Sequence, residues 1–500
     1  MISFIPNDPL AVDAVPLRKV QARPDRPSGR AGFTVSGTAP EGVFQPDEPG
    51  FVRWQARQAA ILAVDAWEDV IGQPITSWAA QAANPLRLIP DQGEDMNAFY
   101  DRRSVSFFHK LRDGETVFSG ASTDVVSHEV GHAVLDALRP DLWDSMFLET
   151  GGFHEGFGDV TALITALSDR ATREKLLDVA PDLGTANFVE ATAEDLSDTI
   201  RRVLGPTHPA SKPRRALNTF QWQLPQTMLA TGGPDVMIGE VHSIARIITG
   251  CFWDLLRALF VASGTGTQAG LLSATQTAAR LFYEGAKTAP ETPRFFRSVG
   301  RSMVLADDAL NGGAHRQLIG QAFGAHGLAL GSQALLAPEL ALAGNSPRIN
   351  RRAGSVTVSP ATLKDLRRHV GAPEGAAARV SLAMVGDTSV ANVAIVGEVA
   401  LDDVDERLRG VVAPVKTVAL VGESGGSAAL LAAPRAGVPS AEVTDFVQSL
   451  VANDQVAFGS AAPGRRSAVA PDTAAGAATH AVRRRGGKKK LQRVRFACTL

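Results

Sequence analysis

The chain is poor in several things, and each shortage removes a class of protein. Only two of its 500 residues are cysteine, Cys251 and Cys498. They lie far apart, so one disulfide can be drawn between them but no disulfide framework. Formal net charge is -2, too small for a global field that would draw the chain to nucleic acid or a membrane surface. No run reaches the roughly 18 apolar residues of a spanning helix. The opening MISFIPNDPLAVDAVPLRKV lacks the basic and apolar blocks of a secretory signal. The expectation is a protein without a membrane span or specific nucleic-acid partner, either cytoplasmic or exported by a non-classical route.

The remaining composition, 45% hydrophobic and 20% charged, is globular, and the length calls for more than one domain. Residues 1–50 read as an extended arm with a strand at GFTVSG. Residues 51–71 form an amphipathic helix stopped by Gly72. Strands follow at PLRLIPD and SVSFFHKL, with RDGE as a turn into TVFSG. From 122 to 335 the pattern is helical, with helices near 124–138, 153–168, 194–204, 240–262, 267–286, 292–309 and 315–325. Residues 336–352 read as a linker. Residues 353–460 are β-rich with one helix at PSAEVTDFVQSLVAN, an accessory binding module. Residues 461–500 read as a disordered basic tail, either merely solvated or able to meet an acidic partner.

Within the helix at 124–138 stands SHEVGHAVLD. His128 and His132 are one turn apart and share a face. Two imidazoles so placed can bind one tetrahedral zinc ion, with Glu129 beside a metal-bound water; the plain alternative is a pair of core histidines. A third ligand is available in GGFHEGFGDV. Glu155 completes a His2Glu set, and Asp159, one turn on, can fix the tautomer of a ligand histidine. His154 is a rival ligand, but it points about 100° away from Glu155 and lacks the carboxylate one turn behind. Gly156 and Gly158 cost helix stability and suit a close approach to the first helix.

These motifs, in order, resemble those of the thermolysin-like zinc peptidases of the gluzincin group. NAFYD (97–101) is similar to the family's edge strand, DVVSHEVGHAVLD to its active-site helix, Glu155 and Asp159 to its E-x-x-x-D pair, and EVHSIARIITGCFWDLL (240–256) to its third signature. The resemblance implies an α+β, two-lobed metallopeptidase over 51–335: a mixed sheet with the active-site helix, then a mainly helical lobe. It implies one zinc ion on His128, His132 and Glu155, and a peptide or protein substrate. Glu129 would then activate the zinc-bound water, and His242 would donate to the oxyanion. Asn97 and the Ala98 backbone would hold the substrate, with a gripping arginine at Arg214 or Arg215, between which spacing does not choose.

The departures from the family are specific. Met146 stands where it usually has a tyrosine, and the chain holds only two, Tyr100 and Tyr283. Ala166 stands where an acidic calcium ligand belongs, so calcium is not expected at that site although Asp124 remains. The missing tyrosine motivates an alternative, a weakly active pseudopeptidase that serves as a zinc-containing scaffold. One further motif, GESGG (422–426), has the spacing of a nucleophile elbow, but it lacks a later acid and histidine in a sheet context. A turn between two strands accounts for it.

Overall fold

The computed structural model describes residues 1–331, 358–369, 372, 374–385, 388–424, 427–432, 440–458 and 478–498. The expected linker at 336–352 lies outside them.

Along the chain, short strands β1 (Ile2–Phe4), β2 (Arg18–Val20) and β3 (Phe33–Val35) precede helix α1 (Pro49–Ile71). Gly72 ends α1 in the left-handed region, φ 74°, which suits a residue without Cβ. Then come β4 (Leu86–Ile89), β5 (Ala98–Tyr100), β6 (Ser104–Phe107), and the hairpin β7 (His109–Arg112) and β8 (Glu115–Phe118). SVSFFHKL is thus two strands, not one: β6 pairs with β4 and β5, whereas β7 pairs with β8.

The helical part comprises α2 (Thr123–Leu138), α3 (Leu148–Ser168), α4 (Arg170–Val179) and α5 (Glu194–Leu204). The two-residue strands β9 (Ala191–Thr192) and β10 (Arg214–Arg215) flank α5. Helices α6 (Val241–Ser263), α7 (Gln268–Thr288), α8 (Phe295–Asn311) and α9 (Arg316–Ala325) follow. α3 starts earlier than the sequence pattern suggests, because Gly151 and Gly152 are helical. Their bare faces meet Val241 and Ile244 of α6, and an added Cβ at either would collide. α4 escaped the sequence reading because its apolar positions are few and its composition is charged.

Residues 358–498 contribute α10 (Pro360–His369), β11 (Ala378–Val385), β12 (Thr388–Ala400), β13 (Val411–Ser424), β14 (Ser427–Ala432) and α11 (Ser440–Ala452). After them come β15 (Val456–Ala457), β16 (His480–Arg485), β17 (Lys488–Arg493) and β18 (Phe496–Ala497). β13 and β14 form an antiparallel pair across the GESGG segment. The main sheet here runs β11-β12-β13-β17-β16-β15, with β14 on β13. Val399, Leu401, Val411, Val443 and Phe446 belong to the same buried core as α2, α3 and α6. The β-rich region, read from sequence as a separate accessory module, therefore shares its core with the helical part. β11 and β12 also reach a small cluster of their own around Leu366, Val393 and Ile395.

The tail departs most from expectation. Residues 480–497, read as disordered from their basic composition, form three strands. Gly486 and Gly487, at φ 59° and 78°, make the tight turn between β16 and β17 that two positive-φ residues favour. Lys488 and Lys490 pair with Glu398, at 2.7 and 2.6 Å.

The sheet that carries the site has order β18-β5-β6-β4-β3. β3, β4 and β6 are parallel, β5 is antiparallel to β6, and β18 is antiparallel to β5. Among the described residues, no helix is long and apolar enough to cross a membrane.

Candidate active site

α2 begins at a cap in which Ser122 Oγ accepts from Val125 N–H at 3.3 Å, with Asp124 in the first turn, where an acid suits the helix dipole. It lies against α3 at a distance that only glycine permits. A Cβ on Gly131 would sit 2.9 Å from Gly158 Cα, and one on Gly158 would sit 2.7 Å from the His128 ring. The sequence cost of glycine in these helices is thus tied to the approach that brings the two motifs together.

The approach sets Glu155 among three imidazoles. Its Oε2 lies 3.2 Å from His128 Nε2, 3.7 Å from His132 Nε2 and 3.1 Å from His242 Nε2. His128 Nδ1 lies 3.0 Å from Asp159 Oδ1, the arrangement that fixes a ligand tautomer and leaves Nε2 facing the centre. His128, His132, Glu129, Glu155 and Asp159 are all buried. Both carboxylate oxygens of Glu129 and both ring nitrogens of His132 have no hydrogen-bond partner. Buried polar atoms left alone are costly. His128, Glu129 and His132 offer ligand atoms within 4.8 Å of one another, the group among the described residues suited to a metal ion. A divalent cation fits this donor set: it satisfies the orphaned imidazole and offsets the carboxylate charge.

The proton affinities describe the site without metal. Burial opposes charge on His128, but hydrogen bonds to Asp159 and Glu155 outweigh it and raise its pKa to about 10. Burial lowers His132 to about 3 and raises Glu129 to about 8. Glu155 is driven well below the carboxylate range despite burial, chiefly by the charges of His242 and His132.

His154, the rival ligand, does not join this convergence. Its ring stacks on Phe496 at 4.0 Å, and both nitrogens are unpartnered.

His242 stands in the first turn of α6, with its Nε2 facing Glu155. Glu240 caps that helix, accepting from the backbone N–H of His242 and Ser243. Its other oxygen lies 2.8 Å from His242 Nδ1. Burial would lower the His242 pKa, but the carboxylates of Glu155 and Glu240 hold it well above the usual value. Glu240 was missed in the sequence. Its signal was an acid directly before a helix that opens with a histidine.

Arg214 and Arg215 separate cleanly. Arg214 reaches Asp159, with Nε to Oδ1 at 3.0 Å, and reaches the carbonyl of Cys498. Arg215 turns away to the buried Glu190. Asn97 is buried, and its Oδ1 accepts from Ala98 N–H at 2.9 Å, while the Ala98 carbonyl accepts from Cys498 N–H at 2.8 Å. Met146 is buried in the core. Tyr100 donates to Asp136 at 2.9 Å and Tyr283 packs on Trp67, so both tyrosines of the chain are engaged elsewhere. Asp124 lies in the first turn of α2, one turn before His128. Burial, then the charges of Asp8 and Glu194, raises its pKa well above normal. A solvent-open groove runs beside His242 and Arg214, lined also by Val236, Ile238 and Arg246.

Residues 115–334, which contain α2, α3, Arg214 and His242, match the model of the fungalysin metallopeptidase family, M36. No curated protein matches the chain.

Proposed function

We propose that this chain is a zinc-dependent endopeptidase whose catalytic base is Glu129, a reading supported by the match of residues 115–334 to the fungalysin metallopeptidases. The observation that carries the proposal is the convergence of His128 and His132 on Glu155, with a buried glutamate, Glu129, beside the two histidines and without a partner of its own.

His128, His132 and Glu155 would hold the ion. When bound, zinc supplies Lewis acidity to a carbonyl and lowers the pKa of water. The rest is the work of the chain. Glu129 takes the proton of the attacking water and passes it to the nitrogen of the leaving amine. Its carboxylate is free for this, since nothing else binds it. His242, whose Nδ1 is held by Glu240 at 2.8 Å, donates from Nε2 to the oxygen on which charge develops. The Ala98 carbonyl accepts an N–H from an extended peptide added to β5, and Arg214 donates to the carbonyl one residue beyond the reacting one. Asp159 orients both His128 and Arg214.

The test is hydrolysis of casein by the zinc-loaded protein, with and without 1,10-phenanthroline. Cleavage that the chelator abolishes and added zinc restores is expected. Cleavage indifferent to the chelator would refute metal dependence. No cleavage by a protein with one zinc per chain and a displaced residue 496–498 strand would favour the scaffold.

A further inference from the structure

The edge on which a substrate would lie is already paired. β18 adds antiparallel to β5, with Phe496 opposite Tyr100 and Ala497 opposite Phe99. Cys498 N–H donates to the Ala98 carbonyl at 2.8 Å. The Ala497 carbonyl lies 2.8 Å from His242 Nε2. The Cys498 carbonyl accepts from Arg214 at 3.4 Å. These three contacts are the ones the proposed mechanism asks of a bound peptide, taken in the same order along the strand. The carbonyl at His242 belongs to Ala497, and the next amide is that of Cys498. The Ala497–Cys498 bond therefore lies where the bond to be cut would lie.

The second residue before this bond, Phe496, is anchored by its side chain. Phe496 is 1% exposed. Its ring stacks on His154 at 4.0 Å and on His132 at 4.7 Å, and Trp143 meets it edge-on at 5.3 Å. The Arg493 guanidinium lies 4.1 Å over it. An aromatic ring in a desolvated pocket is the usual energetic centre of an interface. β17, two residues upstream, is fixed in the seven-stranded sheet through its pairing with β13 and β16. The tether keeps the strand beside the cleft at an effective concentration on the order of millimolar, so modest intrinsic affinity is enough for occupancy. The strand itself is only two residues long, and the groove beside Cys498 is open to solvent.

We infer that residues 496–498 are an autoinhibitory strand: they occupy the substrate cleft in a substrate's register, and other peptides are bound only when this strand leaves. The inference rests on reading the site as a peptidase cleft. It assigns an aromatic pocket, lined by His132, Trp143, His154 and Arg493, to the second residue on the amino side of the cut bond.

The test uses the zinc-loaded full chain and two variants. Phe496→Asp places a charge in the aromatic pocket, and Cys498→Pro removes the N–H bonded to Ala98. Two readouts are taken. The first is kcat/KM for a short fluorogenic peptide. The second is binding of a fluorescein-labelled peptide with the sequence of residues 491–498, followed by anisotropy in the Glu129→Gln background. Each variant should raise kcat/KM at least tenfold at unchanged zinc content, and each should bind the labelled peptide at least tenfold more tightly than the parent. Equal rates and equal binding in parent and folded variants would overturn the inference while leaving the peptidase reading intact. Absence of hydrolysis in all three, with the labelled peptide bound only by the variants, would uphold the occluding strand and overturn the peptidase reading.

Discussion

His242 Nε2 lies 3.1 Å from Glu155 Oε2, although the two residues stand on different helices with α4, α5 and a long connection between them in the chain. α3 and α6 pack closely because Gly152 and Gly156 present bare faces to Ile244 and Ile248. The cleft is built on that contact. If His242 donates to the oxyanion, its bond strengthens only as charge develops. His242→Ala should lower kcat and kcat/KM together by about 100-fold, the scale for one oxyanion donor, and leave zinc content unchanged. A loss below about threefold, measured by steady-state kinetics with zinc bound, would make it a bystander.

His132→Ala should lose zinc outright. Two remaining ligands do not hold a tetrahedral ion well, and the His132 ring is buried with no alternative bond. Elemental analysis after dialysis is the check, and one zinc per chain in the variant would remove His132 from the ligand set.

Gly131→Ala should destabilise the fold by about 1–3 kcal/mol, the range for overpacking. The added methyl would meet the Thr161 side chain and Gly158 backbone, 2.5–2.9 Å away, and backbone cannot yield as a flexible side chain does. Denaturant unfolding measures it; an unchanged midpoint would show that α2 and α3 are not in close contact.

Asp8 gives the pH dependence a definite sign. Burial, reinforced by the charge of Asp195, raises it from 3.8 to about 7. Between those values the folded chain keeps a proton that the unfolded chain releases, so this group's contribution to stability falls as pH rises from about 4 to 7. Asp8→Asn keeps an oxygen for the N–H groups of Leu10 and Asp195 and cannot ionise. The variant should gain on the wild type across that interval by about 3 kcal/mol. Melting temperatures at pH 4 and 7 decide it, and a constant difference between the two proteins would contradict the assignment.

The helices and the metal motif were legible because their signals are local. The spacing of His128 and His132 and the Glu155–Asp159 pair each lie within one or two turns. The choice of Arg214 over Arg215 was not legible, since adjacent residues on a short strand differ only in which side of it they face. Glu240 was not read as the partner of His242, because an acid before a helix does not by itself show which side chain it will face. The largest miss was the segment 480–498. RRRGGKKK contains a Gly-Gly hairpin turn between two strands, a signal that strand reading recognises. Its basic composition pointed to a solvated tail instead. The lysines and arginines prove compatible with order because Arg483, Arg484, Arg485, Lys488 and Lys489 are exposed around the hairpin turn, and Lys488 and Lys490 find Glu398.

The central claim is that Glu129 is the base of a zinc peptidase, and one comparison tests it most directly. Wild type and Glu129→Gln are loaded with zinc, their metal content is measured, and hydrolysis of the same peptide is followed in each. The substitution removes a proton acceptor and spares all three ligands. The variant should therefore keep one zinc per chain and lose about 1000-fold in kcat, within the range for a positioned general base. A zinc-replete variant that hydrolyses the peptide at the wild-type rate would contradict the account.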